Sequence, residues 1–186
     1  MDNPVSSLLS LRRGARFSVP RRHSCRRSAL LLLFASLLSP LACARAQVRP
    51  AAVAGAFYPA DPTTLAKMVD DFLARATPPA VDGTIQALVS PHAGYEFSGA
   101  VAAYGYSLVK GKHYDRVVVI APSHVDPFSF VSVYNGDAYQ TPLGTVQVDK
   151  VFARQLAKMS STMRLSSQGH DATSAGAEHA IEVQLP

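Results

Sequence analysis

The chain has 186 residues, with 18 Lys and Arg against 13 Asp and Glu, a formal net charge of +5 and 48% hydrophobic side chains. Eight of the 18 basic residues lie at or before Arg45, where Asp2 is the only acid, so residues 47–186 carry ten basic and twelve acidic side chains, near −2. The basic balance belongs to the front of the chain, which excludes reading the body as a nucleic-acid binder. Both cysteines, Cys25 and Cys43, also fall in that front part, so the body has no disulfide and no thiolate ligand of its own.

Residues 1–46 read as a targeting leader. Arginines from Arg12 to Arg27 crowd an n-region, an uncharged leucine-rich stretch runs from Ser28 to Ala44, and Ala44-Arg45-Ala46 matches an A-x-A cleavage pattern. Pro40 interrupts the apolar stretch, which favours a cleaved signal over a membrane anchor. Arg26-Arg27 and Leu41-Ala42-Cys43 leave a twin-arginine or lipoprotein variant open. A genuine leader places the protein in the periplasm or outside the cell, with no stable membrane insertion after cleavage. A translation start further in makes it cytoplasmic.

The remaining 140 residues, 47–186, suffice for one domain with a core. Asp61-Pro62 followed by Leu65, Met68, Val69, Phe72 and Leu73 gives an N-cap, a proline at N1 and an apolar stripe at helical spacing, which predicts a helix over 62–75. Ile85 to Val89 is a short apolar strand candidate, and a helix follows from about Ser98 to Val109, closed by Gly111. Arg116 to Ile120 is the clearest buried strand, a β-branched run of the kind found in central parallel strands. Phe130–Tyr134 and Thr145–Val148 flank a turn at Asn135-Gly136-Asp137 and read as paired strands. Asp149 caps a helix to about Met159, residues 160–176 read as a mobile loop, and Glu178 opens a last apolar segment. That segment reaches Pro186 without a stop signal, which reads as a truncation. The sum is an α/β fold, a central and mostly parallel sheet flanked by helices.

Two histidines stand just past the predicted strands, His92 in Ser90-Pro91-His92-Ala93-Gly94-Tyr95 and His124 in Ala121-Pro122-Ser123-His124. Loops beyond the carboxyl ends of parallel strands bring such residues into one pocket, and the flanking prolines stiffen both loops. Neutral imidazoles suit iron, copper or zinc, so His92 and His124 are candidate metal ligands; a hydrogen-bonded structural role is the alternative for each. Any third ligand from the body must be His, Asp or Glu. His179 is a candidate general base or third ligand, with Glu182 one turn on if the segment is helical. Ser123 can orient a ring or donate to a bound oxygen. Tyr95 is either a substrate hydrogen bonder or a packing plug, and His113 and His170 read as solvated.

Val48-Arg49-Pro50 through Ala54-Gly55-Ala56-Phe57-Tyr58-Pro59, Pro91-His92-Ala93-Gly94-Tyr95 with Ser98-Gly99, Ala121-Pro122-Ser123-His124, Thr141-Pro142-Leu143-Gly144 and Glu178-His179-Ala180-Ile181-Glu182-Val183-Gln184-Leu185-Pro186 together resemble the Memo family, whose bacterial members are called AmmeMemoRadiSam system protein B. The resemblance spans 48–186, about the first half of a typical family domain. It implies a LigB-like fold related to class III extradiol dioxygenases, with a metal pocket at one sheet edge. It also implies metal roles for His92 and His124, and further site residues, a cysteine and an Asp and His motif, in a C-terminal half not contained in this sequence. A leader would set the chain apart from a mostly cytosolic family and from a cytosolic radical-SAM partner.

Three functions stay open at this point. The first is a metal-dependent dioxygenase-like oxidoreductase using iron or copper, with His179 as acid or base. The second is a non-catalytic module that binds a metal, a small molecule or a peptide. The third is a zinc-assisted hydrolase. Sequence alone does not set the oligomeric state.

Overall fold

A computed structural model describes residues 46–170, 172–173 and 176–186. Apart from Ala46, the expected leader and its two cysteines lie outside the described residues. In chain order the elements are β1 (Val48–Arg49), α1 (Pro62–Arg75), α2 (Tyr95–Ser107), β2 (Val131–Tyr134), β3 (Ala138–Thr141), β4 (Gly144–Gln147), α3 (Lys150–Leu156), β5 (Met163–Ser166), β6 (Ala172–Thr173), β7 (Gly176–Ala177) and a 3₁₀ turn at Glu182–Gln184.

The helices follow their sequence signals closely. Asp61 caps α1, its Oδ1 accepting from the Thr64 N–H at 2.8 Å and the Thr64 hydroxyl at 2.6 Å, with Pro62 in the first turn where no N–H is needed. Leu65 on its inner face is fully buried. Helix α2 begins three residues before the expected Ser98, because the Gly94 carbonyl already accepts from the N–H groups of Phe97 and Ser98. Its Gly99 faces α1, and a Cβ there would lie 2.5 Å from the Phe72 ring, so the two helices meet where a side chain is missing. Asp149 caps α3 through the Phe152 N–H at 2.9 Å.

The strands form three small sheets, giving a mixed α/β architecture. Strand β1 pairs parallel with β3, which pairs antiparallel with β4; β2 pairs parallel with β5, and β6 antiparallel with β7. The expected pairing of 130–134 with 145–148 does not occur. Strand β4 instead takes β3 as partner, and β2 takes β5 from the segment expected to be a loop. Strand β5 has only Met163 and Leu165 alternating with Arg164 and Ser166, too brief a period-2 signal to stand out amid Ser, Thr and Gln.

The runs 85–89 and 116–120 carry no strand among the described residues. Val89 is fully exposed and Ile120 is 86% exposed. A β-branched run becomes a strand only when a neighbouring backbone takes up its N–H and C=O groups, and no described segment does so. A groove of about 600 Å³ opens between 116–123, β2 and α3 instead.

The core gathers Val53, Tyr58, Leu65 and Val183, with Phe57, Val69, Tyr95 and Ala177 packed against them. It joins the loop after β1, the inner face of α1, the start of α2 and the final turn. Arg49 of β1 ties this assembly together from within. Its guanidinium donates to the Glu182 carboxylate and to the carbonyls of Glu178 and His170, and it lies over the Tyr139 ring at 5.1 Å. Among the described residues no helix is long and apolar enough to cross a membrane.

Candidate metal centre

Three loops far apart in sequence meet beside this core. The first carries His92, and both of its ends are tied down. Gln184 Nε2 donates to the Pro91 carbonyl at 2.9 Å, and the Tyr95 N–H donates to the Phe57 carbonyl at 2.7 Å. The second carries His124 at a tight turn in which the Ser123 hydroxyl donates to the Asp126 carbonyl at 2.9 Å and accepts from the Asp126 N–H at 3.2 Å. The third carries His179, just past β7, its ring against Phe57 with centroids 4.3 Å apart.

The three imidazoles share one space. His124 and His179 stack at 4.6 Å and 14°, His92 lies 5.2 Å from His124, and His92 and His179 are 6.3 Å apart, all between centroids. Behind them Glu178 is buried. Its carboxylate accepts from the backbone N–H groups of His124, His179 (2.8 Å) and Ala180 (3.0 Å) and lies 3.0 Å from His124 Nδ1.

The electrostatics follow from these contacts. Burial by itself raises the Glu178 carboxyl, but hydrogen bonds from the Ala180 N–H, the His124 ring and the N–H groups of His124 and His179 outweigh it and bring the carboxyl down to about 2. Burial and the adjacent His124 ring push His179 below its ordinary value, against the pull of Glu178. At neutral pH the site therefore offers an ionised carboxylate and a neutral His179 imidazole.

His124, Glu178 and His179 each offer a donor atom, and these lie within 4.8 Å of one another. Two donors bound to one ion at about 2.1 Å lie roughly 3–4 Å apart, so a small side-chain rotation separates this group from a coordinating one. This His/Glu/His group could hold a metal ion.

His92 and His124 are thus brought together as their loops suggested, and His179 joins them. The only sequence signal for Glu178 is the Glu-His dipeptide at the opening of an apolar segment. Glu182, one turn along from His179 had the segment been helical, lies under Arg49. Its carboxylate accepts from the Tyr58 hydroxyl at 2.5 Å and from the N–H groups of Ala52 and Val53. Burial pushes its carboxyl up, but the hydrogen bonds of Tyr58, Arg49, Val53 and Ala52 prevail and hold it below the usual range. Tyr95 plugs the core and donates to the Val183 carbonyl at 2.9 Å, and Ser123 serves its own turn. His113 is exposed. His170, expected to be solvated, is buried, with Nδ1 2.6 Å from the Tyr139 hydroxyl and Nε2 3.2 Å from the Ser132 carbonyl. Its Ser/Gly-rich surroundings gave no hint of those partners.

Much of the last motif frames the site rather than forming it. Glu182 anchors to Arg49, Val183 packs in the core, and Gln184 holds both Pro91 and, at 2.6 Å, the Tyr106 hydroxyl. A family profile described as Memo-like protein matches residues 49–186. The chain belongs to the Memo family. It is 40% identical over 146 residues to a MEMO1 family protein of Methanopyrus kandleri, covering 74% of this chain and 50% of that protein. A MEMO1 family protein of Methanothermobacter thermautotrophicus is 38% identical over 146 residues, covering 75% and 51%. One from Thermococcus kodakarensis is 38% identical over 140 residues, covering 75% and 46%. The chain thus spans about half the length of the curated relatives it matches.

Proposed function

We propose that this Memo-family chain binds a transition metal through His92 and His124, with iron or copper as its resident ion, and that His179 serves the site as acid or base. The observation that carries the proposal is the meeting of three imidazoles from three separate loops around one space, with an ionised carboxylate behind them. Two nitrogen donors from His92 and His124 fill only part of a metal's coordination sphere, and the remaining positions can take a small molecule.

When bound, such an ion supplies Lewis-acid and one-electron chemistry at its open positions. The chain's own residues do the rest. His92 and His124 present nitrogen donors on tethered loops. His179, held neutral by burial and by its neighbour, can take a proton from a substrate hydroxyl at its free ring nitrogen. Phe57 covers one side of that ring and keeps water from it. A hydroxylated aromatic oxidised in the manner of the class III extradiol dioxygenases is the substrate class that suits this set.

We also infer that the runs 85–89 and 116–120 are central strands of a LigB-like parallel sheet. The apolar run 85–89, the β-branched run 116–120 and the parallel pairs β1·β3 and β2·β5 in the same chain support this reading.

Metal titration tests the site. The wild-type chain should take up about one equivalent of iron(II) or copper(I), and His92→Ala and His124→Ala should each weaken binding at least about tenfold. Unchanged stoichiometry and affinity in both variants would remove the assignment. Oxygen consumption by the iron-loaded protein with a catechol tests the reaction: His179→Ala should bind metal yet turn over slowly.

A further inference from the structure

The Glu178 carboxylate makes more hydrogen bonds inside the site than any histidine, and every one of them goes to a residue that carries or adjoins a ring. One oxygen accepts from the His124 backbone N–H. The other faces His124 Nδ1 at 3.0 Å and accepts from the N–H groups of His179 at 2.8 Å and Ala180 at 3.0 Å. The side chain is 6% exposed, while the His124 ring beside it is 40% exposed. The carboxylate therefore faces the protein, and the far edge of the ring faces the open space.

An ionised carboxylate only accepts hydrogen bonds. With His124 Nδ1 facing that carboxylate at 3.0 Å, the ring meets it best as the Nδ1–H tautomer, and that leaves the Nε2 lone pair on the opposite edge of the ring. Carboxylates in such positions fix the tautomer and ring angle of a ligating histidine and make its free nitrogen more basic. Glu178 adds a second constraint: by holding the backbone of His124 and of His179 at once, it sets the spacing of two loops 54 residues apart.

We propose that Glu178 is a positioning residue rather than a metal ligand: it selects the Nδ1–H tautomer of His124, aims Nε2 at the metal space and fixes the spacing of the His124 and His179 loops around it. The proposal rests on the metal-binding reading above. It assigns the carboxylate of the His124–Glu178–His179 group to the protein side of the site.

Nitrogen-15 NMR of the histidine rings, with zinc(II) as a diamagnetic probe, tests it on the full 186-residue chain. In the metal-free protein His124 should show a protonated Nδ1 and a bare Nε2. On zinc addition Nε2 should take the shift of a coordinated nitrogen while the Nδ1 proton remains. A metal-free His124 protonated on Nε2, or a zinc complex in which the Nδ1 proton is lost, would overturn the proposal and restore Glu178 as a direct ligand.

Zinc titration of Glu178→Gln adds a second reading. The variant should bind about 10–100-fold more weakly than wild type with its melting curve still cooperative, and equal affinity in the folded variant overturns the proposal. If the variant does not fold, the ring spectrum of the wild type decides. A wild-type chain that binds no metal at all overturns the metal-binding reading instead, a result distinct from either failure of Glu178.

Discussion

Glu182 lies with 1% of its surface exposed, its carboxylate shared among Arg49, Tyr58 and two backbone N–H groups. Removing one charge of a buried pair leaves the other without compensation, which costs about 3–5 kcal/mol. Glu182→Gln should therefore lower the denaturant midpoint sharply at pH 7. The pair also gives stability a pH dependence of defined sign. The folded carboxyl titrates below its ordinary value of 4.5, so its contribution is fully present above that value and is lost as pH falls through the folded pKa. The wild-type advantage over Glu182→Gln should shrink below about pH 4.5, and a gap that stays constant down to pH 3 would contradict the assignment. The same residue shows why the site was only half legible in the sequence. His92 and His124 announce themselves by loop chemistry within a few residues. The partners that place Glu178 and Glu182, His124 and Arg49, lie 54 and 133 residues away, beyond the reach of any local spacing, and the buried partners of His170 are distant in the same way.

Elements whose bonds are local were the ones the sequence foretold. Helix α1 begins at its cap and proline and runs Pro62–Arg75, as its apolar stripe predicts. Its cap yields a prediction at this scale. The Asp61 side chain satisfies the Thr64 N–H and hydroxyl together, so Asp61→Ala should lower the thermal midpoint by roughly 2–4 °C while Asp61→Ser recovers most of it. An unchanged midpoint for Asp61→Ala would mean that water replaces the cap at no cost. Strands behaved differently, because a strand is defined by its neighbour. Strand β5 was hidden in a polar stretch yet pairs with β2 over four residues, whereas 116–120 has the stronger strand composition and no partner among the described residues. Tertiary context decides β structure more than propensity does.

At the scale of the molecule, that unpaired run has a measurable consequence. Val117 is 72% exposed, Val118 53% and Ile120 86%, so side chains on both faces of the run meet water. An exposed apolar run with free backbone groups is a template for another chain. The 186-residue chain should accordingly bind a hydrophobic dye and associate with increasing concentration in sedimentation velocity, and Val118→Lys with Ile120→Lys should shift it toward monomer. The proposed central sheet makes a matching claim for the curated relatives, which are about twice as long as the stretch matched here. In a full-length relative the amides aligned with 116–120 should exchange with solvent slowly, by roughly a hundredfold or more relative to this chain, because local opening must then break a ladder. Equal exchange rates in the two proteins, together with a monomeric 186-residue chain that ignores the dye, would show that this run is a surface loop and that its valines serve some other end than a sheet.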